Sequence, residues 1–210
     1  MRIRVTADHQ TPDRAPLRLA PGDAVRVGER DDEWPAFVFA SAEKGEGWVP
    51  ERILDGARPD AVVREAYDTQ ELAVRSGDIV RLLHDDAESG WSWCRDALGD
   101  EGWIPHRALD LAADHWFVLD HAAAPGVRSV FTHPDFPQHV AFLQSLRARG
   151  LLVAAGPLPD EEGAGMTIVH APDAATALEV LRAAQEDDRA VTAGILRVRA
   201  REWNVMVSPD

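Results

Sequence analysis

The sequence predicts a multidomain chain, two small all-β barrels followed by an α+β domain of order βαββαβ. Three observations predict it. Gly102-Trp103-Ile104-Pro105-His106-Arg107-Ala108-Leu109 is a second copy of Gly47-Trp48-Val49-Pro50-Glu51-Arg52-Ile53-Leu54, and the same offset relates Gly77-Asp78 to Gly22-Asp23. Residues 60–111 are short apolar runs broken by turn residues, with no helical period. Beyond Ala112 the pattern changes to longer apolar strands alternating with helical spacing. The boundaries expected are 1–56, 60–111 and 114–210.

Composition narrows the class. The 210 residues are 45% hydrophobic and 28% charged, which is ordinary for globular domains. A net charge of −14, spread over both halves, argues against nucleic acid or an anionic membrane as partner, since both reward a basic face. A single cysteine, Cys94, excludes an intrachain disulfide framework and a cysteine zinc site. No stretch reaches the ~18 apolar residues of a membrane span, and the first residues lack a signal-peptide core. The expectation is a cytoplasmic protein.

In the second copy, strands are expected at Val62-Val63, Ile79–Leu83, Trp91–Cys94 and Gly102–Ile104, with turns at Gly77-Asp78 and Glu88-Ser89-Gly90. Five of the seven tryptophans, Trp34, Trp48, Trp91, Trp93 and Trp103, precede residue 112. Large aromatics compensate for the little surface that so small a unit can bury. Glu65-Ala66-Tyr67-Asp68-Thr69, Glu71–Val80, Trp91-Ser92-Trp93 and Gly102-Trp103-Ile104-Pro105 together resemble a Src-homology-3 (SH3) domain. The first copy keeps Gly22-Asp23, Trp34 and Gly47-Trp48-Val49-Pro50, so the pair is similar to tandem bacterial SH3-like domains. The resemblance implies an aromatic groove for extended proline-rich peptides. In copy two that groove would be Tyr67, Trp91 and Pro105; in copy one it would be the poorer set His9, Trp34 and Pro50. The alternative is that both barrels are packing modules.

The last third opens with an expected buried strand, His115–Asp120. A helix follows with Phe136, Val140, Leu143 and Arg147 on one stripe, widened by Phe142 and Leu146. Pro134 and Pro137 suit its first turn and Gly150 its end. Strands are expected at Leu151–Ala155 and Met166–His170. Asp173 is placed to cap a second helix bearing Ala174, Ala177, Leu178, Leu181 and Ala184. A long strand from Ile195 to Val207 closes the order, the ferredoxin-like split βαβ. One face of such a sheet stays open, and dimerisation through it is expected.

Trp116–Leu119, Gln138–Leu143 with Gly150-Leu151-Leu152, Ala155–Leu158, Gly165, Asp188 with Val191 and Ala193-Gly194, and Arg201-Glu202-Trp203 resemble the YCII-related family. That resemblance implies a dimeric α/β barrel and a catalytic pair, which by position is His139 and Asp188. The family's Asp-Pro-Phe is Asp188-Arg189-Ala190 here. Independently of the family, a carboxylate on one ring nitrogen fixes a histidine's tautomer and leaves the other nitrogen to accept a proton. A purely structural pair is the competing reading.

Gly156 and Pro157, with Arg199 on the last strand, are the expected substrate-binding residues. Arg197, Arg199 and Arg201 share a face; they could bind a substrate carboxylate inside a dimer barrel, but a solvated or ion-paired stripe is the favoured reading. His115, His121, His133 and His170 show no metal-ligand spacing, so no metal site is expected. No dinucleotide loop, Walker lysine or Gly-x-Ser-x-Gly elbow occurs, and no cofactor is expected. Two functions remain. One is a cofactor-independent lyase or isomerase using His139 and Asp188. The other is a non-catalytic dimeric adaptor that binds proline- or arginine-containing peptides.

Overall fold

A computed structural model describes residues 1–56, 58–127 and 129–207. The chain forms two compact units, Met1–Asp110 and Leu111–Asp210.

The first unit is all β. Its strands are β1 (Arg2–Arg4), β2 (Arg18–Leu19), β3 (Ala24–Arg30), β4 (Phe37–Ala42), β5 (Gly45–Pro50), β6 (Leu54–Asp55), β7 (Asp60–Val63), β8 (Tyr67–Asp68), β9 (Ile79–Asp86), β10 (Trp91–Arg95) and β11 (Glu101–Pro105). Single 3-10 turns at Glu51–Ile53 and His106–Ala108 mark equivalent points of the repeat. Three antiparallel sheets result, in the orders β5-β4-β3-β7-β6, β1-β9-β10-β11 and β2-β8.

The two sequence copies pair across each other's first strands. β7 from the second copy pairs with β3 and β6 of the first (Val62 opposite Ala24, Val63 opposite Leu54). Reciprocally, β1 from the first copy pairs with β9 of the second (Ile3 opposite Val80), and Val5 bridges Leu109. The next segments trade too. Tyr67 lies opposite Leu19, and His9 opposite Val74. Strands β6 and β7, on either side of the expected boundary, pair with each other.

Chain connectivity accounts for the exchange. Only residues 56–59 separate β6 from β7, so β7 folds straight back onto β6 and fills the edge that β1 would otherwise take. Gly56, at φ +117°, makes the reversal in a conformation that side chains disfavour. The first-copy core confirms whose strand it holds. Leu17, Leu19, Val25, Val38, Val49 and Ile53 pack with Ala61 and Val63, and with half-buried Tyr67.

The second unit follows the expected order. It comprises β12 (His115–Ala123), α1 (Phe136–Ala148), β13 (Leu152–Pro157), β14 (Gly165–Ala171), α2 (Ala174–Glu186), a short α3 (Arg189–Thr192) and β15 (Leu196–Glu202). The sheet order β13-β14-β12-β15 is antiparallel throughout and ferredoxin-like. Asp173 caps α2 by accepting from the Thr176 amide at 2.7 Å.

Two expectations shift. β15 ends at Glu202, so residues 203–207 do not extend the last strand. The face α1 buries is His139, Phe142 and Leu146, while Val140 is 41% exposed. The buried stripe is thus rotated by a residue from the apolar one, because a histidine occupies its first position.

Candidate functional site

The buried histidine on α1 has a partner. His139 Nδ1 lies 2.6 Å from Asp188 Oδ2, with 6% and 0% of the two residues exposed. Asp188 owes its position to a cap. Its other oxygen accepts the Ala190 amide at 3.0 Å and starts α3, which follows α2 after a single turn. Each carboxylate oxygen therefore has one donor, as a buried carboxylate requires. The residue standing where the family has phenylalanine, Ala190, is itself fully buried.

A third polar side chain joins this pair. The inward positions of β12 are Phe117, Leu119 and His121, and the last of these is 4% exposed. Its ring lies 4.6 Å from that of His139, nearly edge-on, and its Nε2 is 3.3 Å from Thr167 Oγ1 on β14. Its Nδ1 is buried without a hydrogen-bond partner among the described residues. Burial, helped by the neighbouring His139 and opposed by Asp188 and Asp120, pushes the His121 pKa down to about 4. The ring is neutral at physiological pH.

A cavity of about 110 Å³ opens against the two rings, walled by Phe136, Gly156, Pro157 and Thr167. Gly156 and Pro157 are thus brought to the histidines as the sequence suggests. Arg199 is not; it is exposed on β15, outside the cavity wall, opposite Asp120. Asp120 is the acid that Arg201 binds, at 2.7 Å. The family resemblance points to His139 and Asp188 but passes over His121, which β12 buries on the same face as Phe117 and Leu119.

The first unit carries a different kind of site. The exchange brings Trp34 of the first copy against Trp91 of the second, ring centroids 5.3 Å apart, and His9 against Trp91 at 5.5 Å. His9 Nε2 is held by Glu71 Oε2 at 2.8 Å. Tyr67 stacks on Trp103 at 5.6 Å, and burial, with Asp86 nearby, pushes its hydroxyl pKa up. Tyr67, Trp34, Trp91 and Trp103 line one cleft of about 300 Å³, with Asp31, Glu33 and Glu71 on its wall.

Tyr67 and Trp91 share that cleft. Pro105 is buried in β11 opposite Trp91 and does not line it. Of the first-copy set, Trp34 lines the cleft and Pro50 is buried. Aromatic residues of both copies thus line a common cleft.

Comparison with known proteins agrees on the kinds of domain. Residues 65–106 match the family model of the SH3 domain, and residues 132–204 match that of the YCII-related domain. The mouse SH3 and PX domain-containing protein 2B is 28% identical over 119 residues, covering 48% of this chain and 12% of that protein. The human guanine nucleotide exchange factor DBS is 31% identical over 72 residues, covering 34% of this chain and 6% of that protein. The chain thus spans a small part of the length of either relative. No solved structure matches it.

Proposed function

We propose that the second unit is a cofactor-independent enzyme that moves a proton on a small molecule seated against His139. The observation that carries this is the 2.6 Å contact between His139 Nδ1 and the fully buried Asp188 carboxylate, beside a cavity. Asp188 holds the proton of Nδ1 and leaves Nε2 as the acceptor. A C–H bond next to a carbonyl breaks, its proton passes to Nε2, and its electron pair moves to the carbonyl oxygen as an enolate. Asp188 then balances the imidazolium. Return of the proton at another carbon is an isomerisation; departure of a β-substituent is an elimination. A cavity of about 110 Å³ suits a substrate of a few heavy atoms. The YCII-related match supports a dimer formed through the sheet face opposite the helices.

The SH3 match and the aromatic cleft favour a second role for the first unit. In this reading it is a pair of SH3-like barrels with exchanged first strands, and the cleft takes a proline- or arginine-containing peptide. The carboxylates of Asp31, Glu33 and Glu71 supply the charge for a basic residue.

The enzymatic reading is tested by proton exchange, which needs no knowledge of the natural substrate. A panel of small keto acids and β-hydroxy acids is incubated with the protein in D2O and followed by NMR. Exchange α to the carbonyl is expected with at least one member, falling about 10²–10⁴-fold in His139→Ala. Exchange that survives His139→Ala at the wild-type rate removes the pair from the mechanism.

A further inference from the structure

We propose that His121 Nδ1 and His139 Nε2, the latter ring backed by Asp188, form a binding site for one divalent transition-metal ion of the zinc or cobalt type. The first observation is the unpartnered nitrogen. His121 Nδ1 is shut off from solvent and meets no donor or acceptor among the described residues. Buried polar atoms in native proteins are nearly always satisfied, and an ion is one of the few partners such a nitrogen can take. The second is convergence. One donor atom from each of the three residues lies within 4.8 Å of the others, and all three residues are buried. Imidazole nitrogens suit zinc, cobalt or nickel, and not magnesium or calcium, which take oxygen ligands.

The surroundings of the rings fit as well. A metal-bound imidazole characteristically gives its other N–H to a carboxylate or hydroxyl, which fixes the ring. His139 already has Asp188 on Nδ1, which leaves Nε2 for the ion. In the tautomer whose Nε2–H donates to the Thr167 hydroxyl, 3.3 Å away, His121 presents the lone pair of Nδ1. The two ligands come from β12 and α1, and the carboxylate behind them from the cap of α3, so no sequence spacing announces them. The adjoining cavity leaves coordination positions for water or a small ligand.

These donor atoms define the site whether or not the unit is an enzyme. The site adds a consequence to the proton-transfer reading, because Nε2 of His139 holds either the ion or a substrate proton. The loaded chain is then the inactive form, and the ion is a reversible inhibitor.

The test uses the full chain stripped with a chelator. Co²⁺ is titrated with visible absorption as the readout, and Zn²⁺ by calorimetry. One equivalent per chain is expected to bind, at least tenfold more weakly in His121→Gln and in His139→Gln, and unchanged in His133→Gln. No saturable binding by the wild type overturns the proposal, as does undiminished binding by a folded His121→Gln. Because a buried substitution can unfold the domain, the wild type is also examined by histidine-ring ¹⁵N NMR. Zinc is expected to shift the resonances of His121 Nδ1 and His139 Nε2; shifts confined to other histidines reject the site. The deuterium-exchange test is run metal-free, so each proposal can fail while the other stands.

Discussion

The two units reach order by opposite routes. In Leu111–Asp210 the sheet order follows from the element order alone, and each strand pairs as a ferredoxin-like chain dictates. In Met1–Asp110 the elements of both copies are present, yet the first strand of each copy completes the other. The difference lies in the connections. The second unit has a helix or long loop between most strands that end up adjacent, so no strand is forced on a neighbour. The first has only residues 56–59 between its halves, so pairing β7 with β6 costs little loop-closure entropy. A repeat read from sequence therefore fixes which elements exist, and the linker fixes which copy they serve.

Glycines sharpen the contrast most. Gly102 sits in β11 where the backbone of Glu71-Leu72 passes so closely that an added Cβ would lie 2.5 Å from the Glu71 carbonyl carbon. That crossing is held by Leu72 N donating to Trp103 O at 3.0 Å and Trp103 N to Gln70 O at 2.9 Å. Backbone cannot step aside as a flexible side chain can. Gly102→Ala is expected to destabilise the first unit by about 3 kcal/mol, the upper end for overpacking. The loss would appear as an earlier transition in tryptophan fluorescence. At Gly156, beside the cavity of the second unit, an added Cβ would meet nothing within 4 Å, and Gly156→Ala is expected to leave the transition in place. Equal effects from both would mean that the close crossing does not constrain the exchanged unit.

Legibility divides along the same line. The tryptophans, the turn glycines and the doubled Gly-Trp-x-Pro segment are readable because each is local. So is His139 with Asp188, through the spacing of a family motif. The exchange is not readable, since Val62-Val63 carries the same apolar character whichever sheet receives it. Nor is the cleft in which Trp34 meets Trp91. His121 escapes for a physical reason: a histidine in a buried strand interrupts the apolar pattern without adding any motif of its own. The α1 stripe is misplaced because periodicity counts Val140 as inward and His139 as marginal.

A smaller effect tests what joins the two copies. Arg52, in the 3-10 turn of the first, reaches Asp86 of β9 in the second at 2.5 Å, and Asp86 is 6% exposed. Burial raises the Asp86 carboxyl pKa, but the Ser89 hydroxyl and the Arg52 guanidinium outweigh it and hold it below the usual 3.8. A carboxylate whose pKa is depressed in the fold stabilises above its unfolded value, and that stability is lost as pH falls through the folded one. Arg52→Ala leaves the buried acid with Ser89 alone and is expected to cost about 1–2 kcal/mol at neutral pH. The deficit relative to wild type should shrink below about pH 4, as the Asp86 carboxylate is protonated first in the unfolded chain and then in the fold. Denaturant melts at pH 7 and pH 3 measure the two gaps. A deficit that stays constant would assign the loss to packing of the arginine stem, and the ion pair would then contribute nothing to holding the exchanged halves together.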